Sequence, residues 1–195
     1  LMSGSEPKLE KQPWNENEIN DSHNCYAYFL NDMNLITRNR CRKICKKNKS
    51  CKKKTQECAK LKPQPSYWAV LRGTRKRRNK RYDCKNMMRA IKDDNKNIRK
   101  VKFTERCPKN FYKGVLVVDT KNPTYHFLRN DNNIYWSHKP GTTPVTNKDA
   151  SGRLIVVPHL ADMNYAKKNK GSLNYDKTCG YMCVPKNNYI NTYAI

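Results

Sequence analysis

The chain has 195 residues, and its 41 lysines and arginines against 16 aspartates and glutamates give a formal net charge of +25. Only 36% of the residues are hydrophobic and the mean hydropathy is -1.04, which favours one domain with solvated decorations and excludes several large cores. No apolar run approaches the roughly 20 residues that span a bilayer. The sequence therefore predicts no transmembrane segment, and residues 1–24 lack the apolar stretch of a signal peptide.

The first elements are an arm and a helix. Residues 1–22 are polar, contain two prolines, and predict an extended arm that Trp14 anchors. A helix is predicted at about 24–36, with Asp21, Ser22 or Asn24 as its cap. Its apolar face, at helical spacing, is formed by Tyr26, Phe29, Leu30 and Met33.

A basic, cysteine-rich insert at 38–81 follows this helix. Residues 38–62 hold twelve basic residues, one acid and the candidate disulfide or metal sites Cys41, Cys45, Cys51 and Cys58. Their spacing lacks the short knuckle typical of zinc sites. The neighbouring lysines lower thiol pKa values and speed disulfide exchange. We expect disulfides; zinc, the one cofactor considered, and free thiols remain alternatives.

The second half of the insert is a basic run, "RGTRKRRNKR" at 72–81. Few aromatic residues accompany it, so base stacking is not indicated. We expect salt-sensitive contact with phosphates or carboxylates. Three kinds of partner would supply such groups: nucleic acid, an anionic membrane surface, or an acidic protein neighbour such as a capsid protein. The predicted anion-binding residues are Arg75, Lys76, Arg77, Arg78, Lys80 and Arg81.

The remaining pattern is one helix and then strands. Asp83 can cap a helix that begins at Cys84, and residues 92–110 are predicted to be looped. Strands are predicted at 112–119, 124–129, 134–139, 153–158 and 179–185. This order predicts an α+β fold with segregated helices and sheet. It gives an arm at 1–22, one domain at 23–185 that includes the insert, and a tail at 186–195.

Nine cysteines leave at least one unpaired, and Cys25 is the candidate. At a helix start its thiol pKa would be lowered, as a nucleophile requires. His126, in a strand, could be its base, and His138, on the partner strand, could orient that base. A three-residue loop at 131–133 would place the two histidines opposite each other, and a one-residue slip would separate them. The alternative is an inert core thiol.

Several motifs carry a resemblance to known proteins. They are Asn24-Cys25-Tyr26, Tyr125-His126-Phe127, Trp136-Ser137-His138-Lys139-Pro140-Gly141, Thr146-Asn147 with Asp149 and Ser151-Gly152, and Cys179-Gly180-Tyr181. They resemble a group of small bacterial and viral proteins, which in turn resembles papain-like hydrolases of the NlpC and CHAP kind. The resemblance implies N-terminal helices packed on an antiparallel sheet, with Cys25 as nucleophile and oxyanion donor, His126 as base and His138 as orienter. The insert lies outside it.

Composition adds a functional expectation. The 24 asparagines and abundant lysines are typical of an AT-rich genome such as that of a large DNA virus, and many cysteines without a signal peptide fit assembly with a dedicated thiol oxidase. We therefore expect a crosslinked minor-capsid-type component located in the virion, or otherwise in a secreted or oxidising setting. The alternatives are an active cysteine peptidase or amidase that cuts cell-wall bonds through Cys25 and His126, and a protein that packages nucleic acid.

Overall fold

The computed structural model describes residues 2–33, 39–43, 58, 60–76, 80–131, 134–167 and 173–186. The helices before the sheet whose bounds lie within the described residues are α1 (Asn17–Ser22), α2 (Cys25–Phe29), α3 (Tyr67–Leu71) and α4 (Cys84–Asp94). The strands are β1 (Arg99–Val101), β2 (Phe111–Asp119), β3 (Thr124–Asn130), β4 (Trp136–Ser137) and β5 (Lys177–Pro185). The predicted α+β class is confirmed. None of the described helices is long and apolar enough to cross a bilayer.

The five strands form one antiparallel sheet in the order β1-β5-β2-β3-β4. Strand β2 is buried on both faces, because its side chains alternate between two apolar clusters. Leu116 and Val118 join the cluster that includes helices α2 and α4. Val115 and Val117 join a second cluster, on the side of Trp136 and other residues of the C-terminal half. The sheet therefore separates helix α4 from the second cluster, whereas α1 and α2 also pack against Val145 of the loop that follows β4.

Helix α2 is shorter than predicted. It begins as expected, because the Asn24 side chain accepts hydrogen bonds from the N–H groups of Tyr26 and Ala27 at 3.1 Å each. It ends at Phe29 and not near 36, because Asn31 adopts a left-handed conformation with φ of 51°. The Asp32 N–H then bonds back to the Ala27 carbonyl, the arrangement of a Schellman cap.

Helix α4 begins at the predicted position, where Asp83 accepts a hydrogen bond from the Asn86 N–H at 2.9 Å. Near its end, Asp94 ties three helices together. The buried Asp94 carboxylate accepts hydrogen bonds from the Tyr26 hydroxyl and from the N–H groups of Ser66 and Ala69, at 2.7 to 2.9 Å.

Three segments differ from the sequence expectations. Residues 153–158 were predicted to form a strand, but they do not. Leu154 makes only an isolated bridge to Lys148, and a 3₁₀ turn begins at Pro158. Strand β1 lies within 92–110, where a loop was expected, and it pairs with β5. Within the N-terminal arm, residues 17–22 form helix α1 and Trp14 is buried.

Three disulfides crosslink the described chain: Cys41–Cys58, Cys84–Cys179 and Cys107–Cys183. The first confirms a crosslink within the insert, while Cys45 and Cys51 lie outside the described residues. The other two attach strand β5 to helix α4 and to the segment before β2. Cys25 is free, as expected, and buried. Crosslinks of this number indicate an oxidising environment.

We predict that Gly114→Ala destabilises the domain by about 1–3 kcal/mol, the usual cost of an overpacked core. An added Cβ would overlap the ring of Phe29, which packs against β2 at this point. The measurement is urea unfolding of the wild type, Gly114→Ala, Phe29→Leu and the double variant. The double variant should lose less than the sum of the two single losses, and strict additivity would show that the ring does not limit this position.

Candidate functional site

His126 and His138 lie in contact beneath the sheet edge. Strand β3 pairs Arg129 with Ser137 and Asn130 with Trp136, so continuing this register sets His138 opposite Leu128. The two histidines are therefore two positions out of direct opposition, but they remain on one face. His126 Nε2 lies 2.8 Å from His138 Nδ1. This register is neither of the two considered from the sequence, and it still allows contact between the two rings.

The hydrogen-bond partners fix the tautomers of this histidine pair. His138 Nε2 lies 3.0 Å from the Lys148 carbonyl, which can only accept, so Nε2 carries the proton. In a neutral imidazole Nδ1 of His138 is then an acceptor, and His126 Nε2–H donates to it. His126 Nδ1 is left with a free lone pair, and it makes no hydrogen bond to any residue that the structure describes. Burial lowers the pKa of His138 to about 4 and holds the pKa of His126 well below its usual range.

Cys25 is the first residue of α2, and its thiol lies next to the backbone N–H of Phe127, the residue that follows His126 in β3. Burial, and then a charge on Cys25, raise the pKa of Tyr175. The Tyr175 ring stacks on His126 with 5.2 Å between the ring centroids. The residue Cys25 is only 7% exposed. Within the described ranges, no hydrogen bond joins Cys25 to His126.

The low thiol pKa expected at the helix start is not found. Burial raises the pKa of Cys25 to about 12, and it outweighs the opposing effects of the Phe127 N–H and the charge of Lys139. A five-residue helix adds little field to offset this loss of hydration. In this conformation Cys25 is a protonated thiol and both histidines are neutral, so the thiol is not activated.

Lys139 is a buried amine that sequence reasoning did not single out as functional. Its Nζ donates to the Asn20 backbone and side-chain oxygens at 3.2 and 2.8 Å and to the Gly141 carbonyl at 2.8 Å. Burial lowers its pKa to about 7. The Lys-Pro-Gly order is the available signal, because a turn after the lysine directs carbonyls back at it. Lys139 thereby fastens helix α1 to the segment after His138.

Arg129 is a second buried cation that the sequence analysis missed. Its Nη1 donates to the Tyr28 carbonyl at 2.9 Å and to Asn31 Oδ1 at 2.8 Å, and its guanidinium lies 3.7 Å from the Tyr28 ring centroid. Asp131 lies 3.5 Å from Arg129 Nε, and both side chains are buried. Arg129 thus holds the end of α2, the helix that begins at Cys25. The sequence signal for this buried cation was an arginine at a position of β3 whose side chain faces the core.

The basic insert contributes less to an anion site than its sequence suggests. Arg75 already forms an ion pair with Asp93, with 2.7 Å between Nη1 and Oδ2. Lys76, Lys80 and Arg81 are exposed, whereas Arg77 and Arg78 lie outside the described residues. Zinc at the four insert cysteines would require reduction of the Cys41–Cys58 disulfide. The described residues hold no cluster of three or more histidine, cysteine or acidic side chains suited to a metal.

The histidine pair predicts a pH dependence of stability. Because the folded-state pKa of His138 is about 4 and its unfolded value is about 6.5, the unfolded chain binds more protons between these values. The stabilisation is complete above pH 6.5 and is lost as the pH falls towards 4, by about 3 kcal/mol for His138 alone.

The test compares urea unfolding of wild type and His138→Gln from pH 4.5 to 7.5. The variant should be less stable at neutral pH but should show a flatter profile. Burial raises the pKa of Asp131 to about 6, which acts in the opposite sense in both proteins and cancels in the difference. Parallel profiles would contradict the assignment of a buried neutral His138.

Comparisons with known proteins give one local similarity. No family model matches the chain, and no solved structure matches it. A segment of 38 residues, 20% of the chain, is 58% identical to insoluble matrix shell protein 1 of Ruditapes philippinarum. The match spans only 26% of that protein's length. The similarity is thus to part of a shell matrix protein.

Proposed function

We propose that the chain is a basic, disulfide-crosslinked structural protein that holds acidic neighbours in an extracellular assembly. The observation that carries the proposal is the crosslinking: three disulfides brace the described chain, two of them on strand β5. Disulfides persist in oxidising settings. The net charge of +25 favours acidic partners, and the local similarity to a shell matrix protein agrees with a structural role. A virion, which the composition suggests, is another oxidised assembly that would use the same properties.

We further propose that the domain is a papain-like scaffold without hydrolase activity. The helix that begins at Cys25, packed against a sheet that carries His126 and His138, supports the papain-like ancestry. The buried and protonated state of Cys25 supports loss of activity. A fold can persist after its chemistry is lost, because packing and catalysis use different residues.

Binding to an acidic polymer tests the structural proposal. We expect the oxidised protein to bind poly-aspartate at about 50 mM salt and to lose at least tenfold in affinity at about 200 mM salt, because screening weakens contacts between exposed charges. Poly-lysine of equal length is the control and should not bind. Absence of poly-aspartate binding, or binding that salt does not weaken, would contradict the proposal.

A cysteine hydrolase is the second candidate, favoured by the free lone pair on His126 Nδ1. In that function the Cys25 proton would pass to Nδ1 as the sulfur attacks a carbonyl carbon. The amine would leave with this proton, and water would then hydrolyse the thioester. The test is hydrolysis of fluorogenic peptides and muramyl peptides by the wild type. Activity that disappears in Cys25→Ala and His126→Gln would establish this candidate, and its absence supports the scaffold.

A further inference from the structure

A groove lies between helix α4 and strand β1 at the edge of the sheet. Its cavity of about 260 Å³ has an apolar floor formed by Met88, Ile98 and Met182. Lys100 of β1 pairs with Met182 of β5, so its side chain rises on the face that α4 covers. The volume is sufficient for one leucine or phenylalanine side chain.

The rim of this groove carries three cations: Arg89 and Lys92 from α4 and Lys100 from β1. All three are exposed. None forms an ion pair or a hydrogen bond with any part of the chain that the structure describes, in contrast to Arg75, which is neutralised by Asp93. Three uncompensated charges around an apolar floor fit a ligand that combines carboxylates with one apolar group.

The backbone next to the groove is also open. Strand β1 is the first strand in the sheet order and pairs only with β5 among the described strands. Its outer edge therefore presents peptide N–H and C=O groups to an incoming chain. A polypeptide can satisfy these groups by adding a strand, whereas a lipid acyl chain cannot.

We propose that this groove, lined by Met88, Arg89, Lys92, Ile98, Lys100 and Met182, docks an extended acidic segment of a partner protein. One apolar side chain of that segment fills the cavity, and its flanking carboxylates meet the three cations. A second copy of this chain is the wrong occupant, because two molecules that each carry +25 repel one another. The inference rests on the proposed function, since it specifies where an acidic neighbour binds.

The probe is a fluorescein-labelled heptapeptide of alternating aspartate and glutamate with one central leucine, measured by fluorescence polarisation on the oxidised full chain. Lys92→Glu/Lys100→Glu should weaken its binding at least tenfold. Lys85→Glu/Lys121→Glu is the matched control, because it changes the net charge equally at exposed lysines outside the groove. That control should weaken binding less than threefold. Replacing the central leucine of the peptide by serine should cost at least tenfold.

The outcomes separate the groove from the general proposal. Equal weakening by both double variants, or a serine peptide that binds as well as the leucine peptide, would overturn the groove while poly-aspartate binding still supports the proposed function. Phosphatidylserine vesicles that bind the groove, with no binding of the peptide, would also overturn it. A peptide N-methylated at alternate amides should bind more weakly, and equal binding would contradict strand addition to β1. Loss of all poly-aspartate binding would remove the proposed function itself.

Discussion

Removal of both disulfides of strand β5, by alanine at Cys84, Cys179, Cys107 and Cys183, is expected to lower the free energy of unfolding by about 8 kcal/mol. The two crosslinks close loops with sequence separations of 95 and 76 residues. Their loss frees the unfolded chain and so increases its conformational entropy. Since small domains are stable by only about 5–15 kcal/mol, we expect this variant to be largely unfolded at 37 °C.

The two crosslinks are expected to be strongly coupled. While either one remains, the other closes a loop of only roughly 30 residues, so each single removal should cost about 3.5 kcal/mol. The second removal should cost about 4.5 kcal/mol, because a long loop is then released. Loss of Cys41–Cys58, whose separation is 17 residues, is independent and should cost about 3 kcal/mol.

Denaturant unfolding of each cysteine-pair variant, under oxidising conditions, measures these differences. The Cys41→Ala/Cys58→Ala variant is the control for removal of one disulfide away from the sheet. A four-alanine variant that remains folded at 37 °C with a loss below about 3 kcal/mol would show that the crosslinks are not what stabilises β5.

Arg129→Met is expected to destabilise the domain by about 3–5 kcal/mol, the cost of breaking a buried ion pair from one side. The substitution keeps most of the side-chain volume but leaves the buried carboxylate of Asp131 without its cation, which in the wild type lies 3.5 Å away at Arg129 Nε. It also leaves the Tyr28 carbonyl without the donor at the end of α2. The loss should be largest at neutral pH, because protonation of Asp131 relieves the unpaired charge as the pH falls.

A double variant separates the charge from the packing. Arg129→Met/Asp131→Asn removes both charges and should recover at least half of the stability lost in Arg129→Met. The measurement is urea unfolding at pH 5 and pH 7 for the wild type, both single variants and the double variant. If the double variant is as unstable as Arg129→Met at both pH values, the cost comes from lost contacts with α2 and not from the stranded carboxylate.

The sequence predicted those features that depend on local chemistry. Asn24 and Asp83 cap the helices as expected, because a side chain that accepts from the next two or three N–H groups needs only nearby residues. Strand β2 was found because a run buried on both faces is continuous in the sequence. Cys25 was identified as the free thiol from the odd cysteine count and its position alone.

Features that depend on tertiary contacts could not be predicted. The segment at 153–158 has a strand composition, but only Leu154 finds a bridge before Pro158 redirects the chain. The low thiol pKa expected of Cys25 assumed a solvated helix end, and burial against β3 reverses it. The contact of His126 with His138 depends on a register that the loop sequence leaves open.

The reactivity of Cys25 tests most directly whether this domain is a closed scaffold. The oxidised protein is treated with iodoacetamide at pH 6–7, and the peptide that contains Cys25 is quantified by mass spectrometry before and after denaturation in urea. A buried thiol with a raised pKa predicts no alkylation of Cys25 in the folded protein and complete alkylation once it unfolds. Rapid alkylation of folded Cys25 that disappears in His126→Ala would contradict the account and would establish an activated nucleophile.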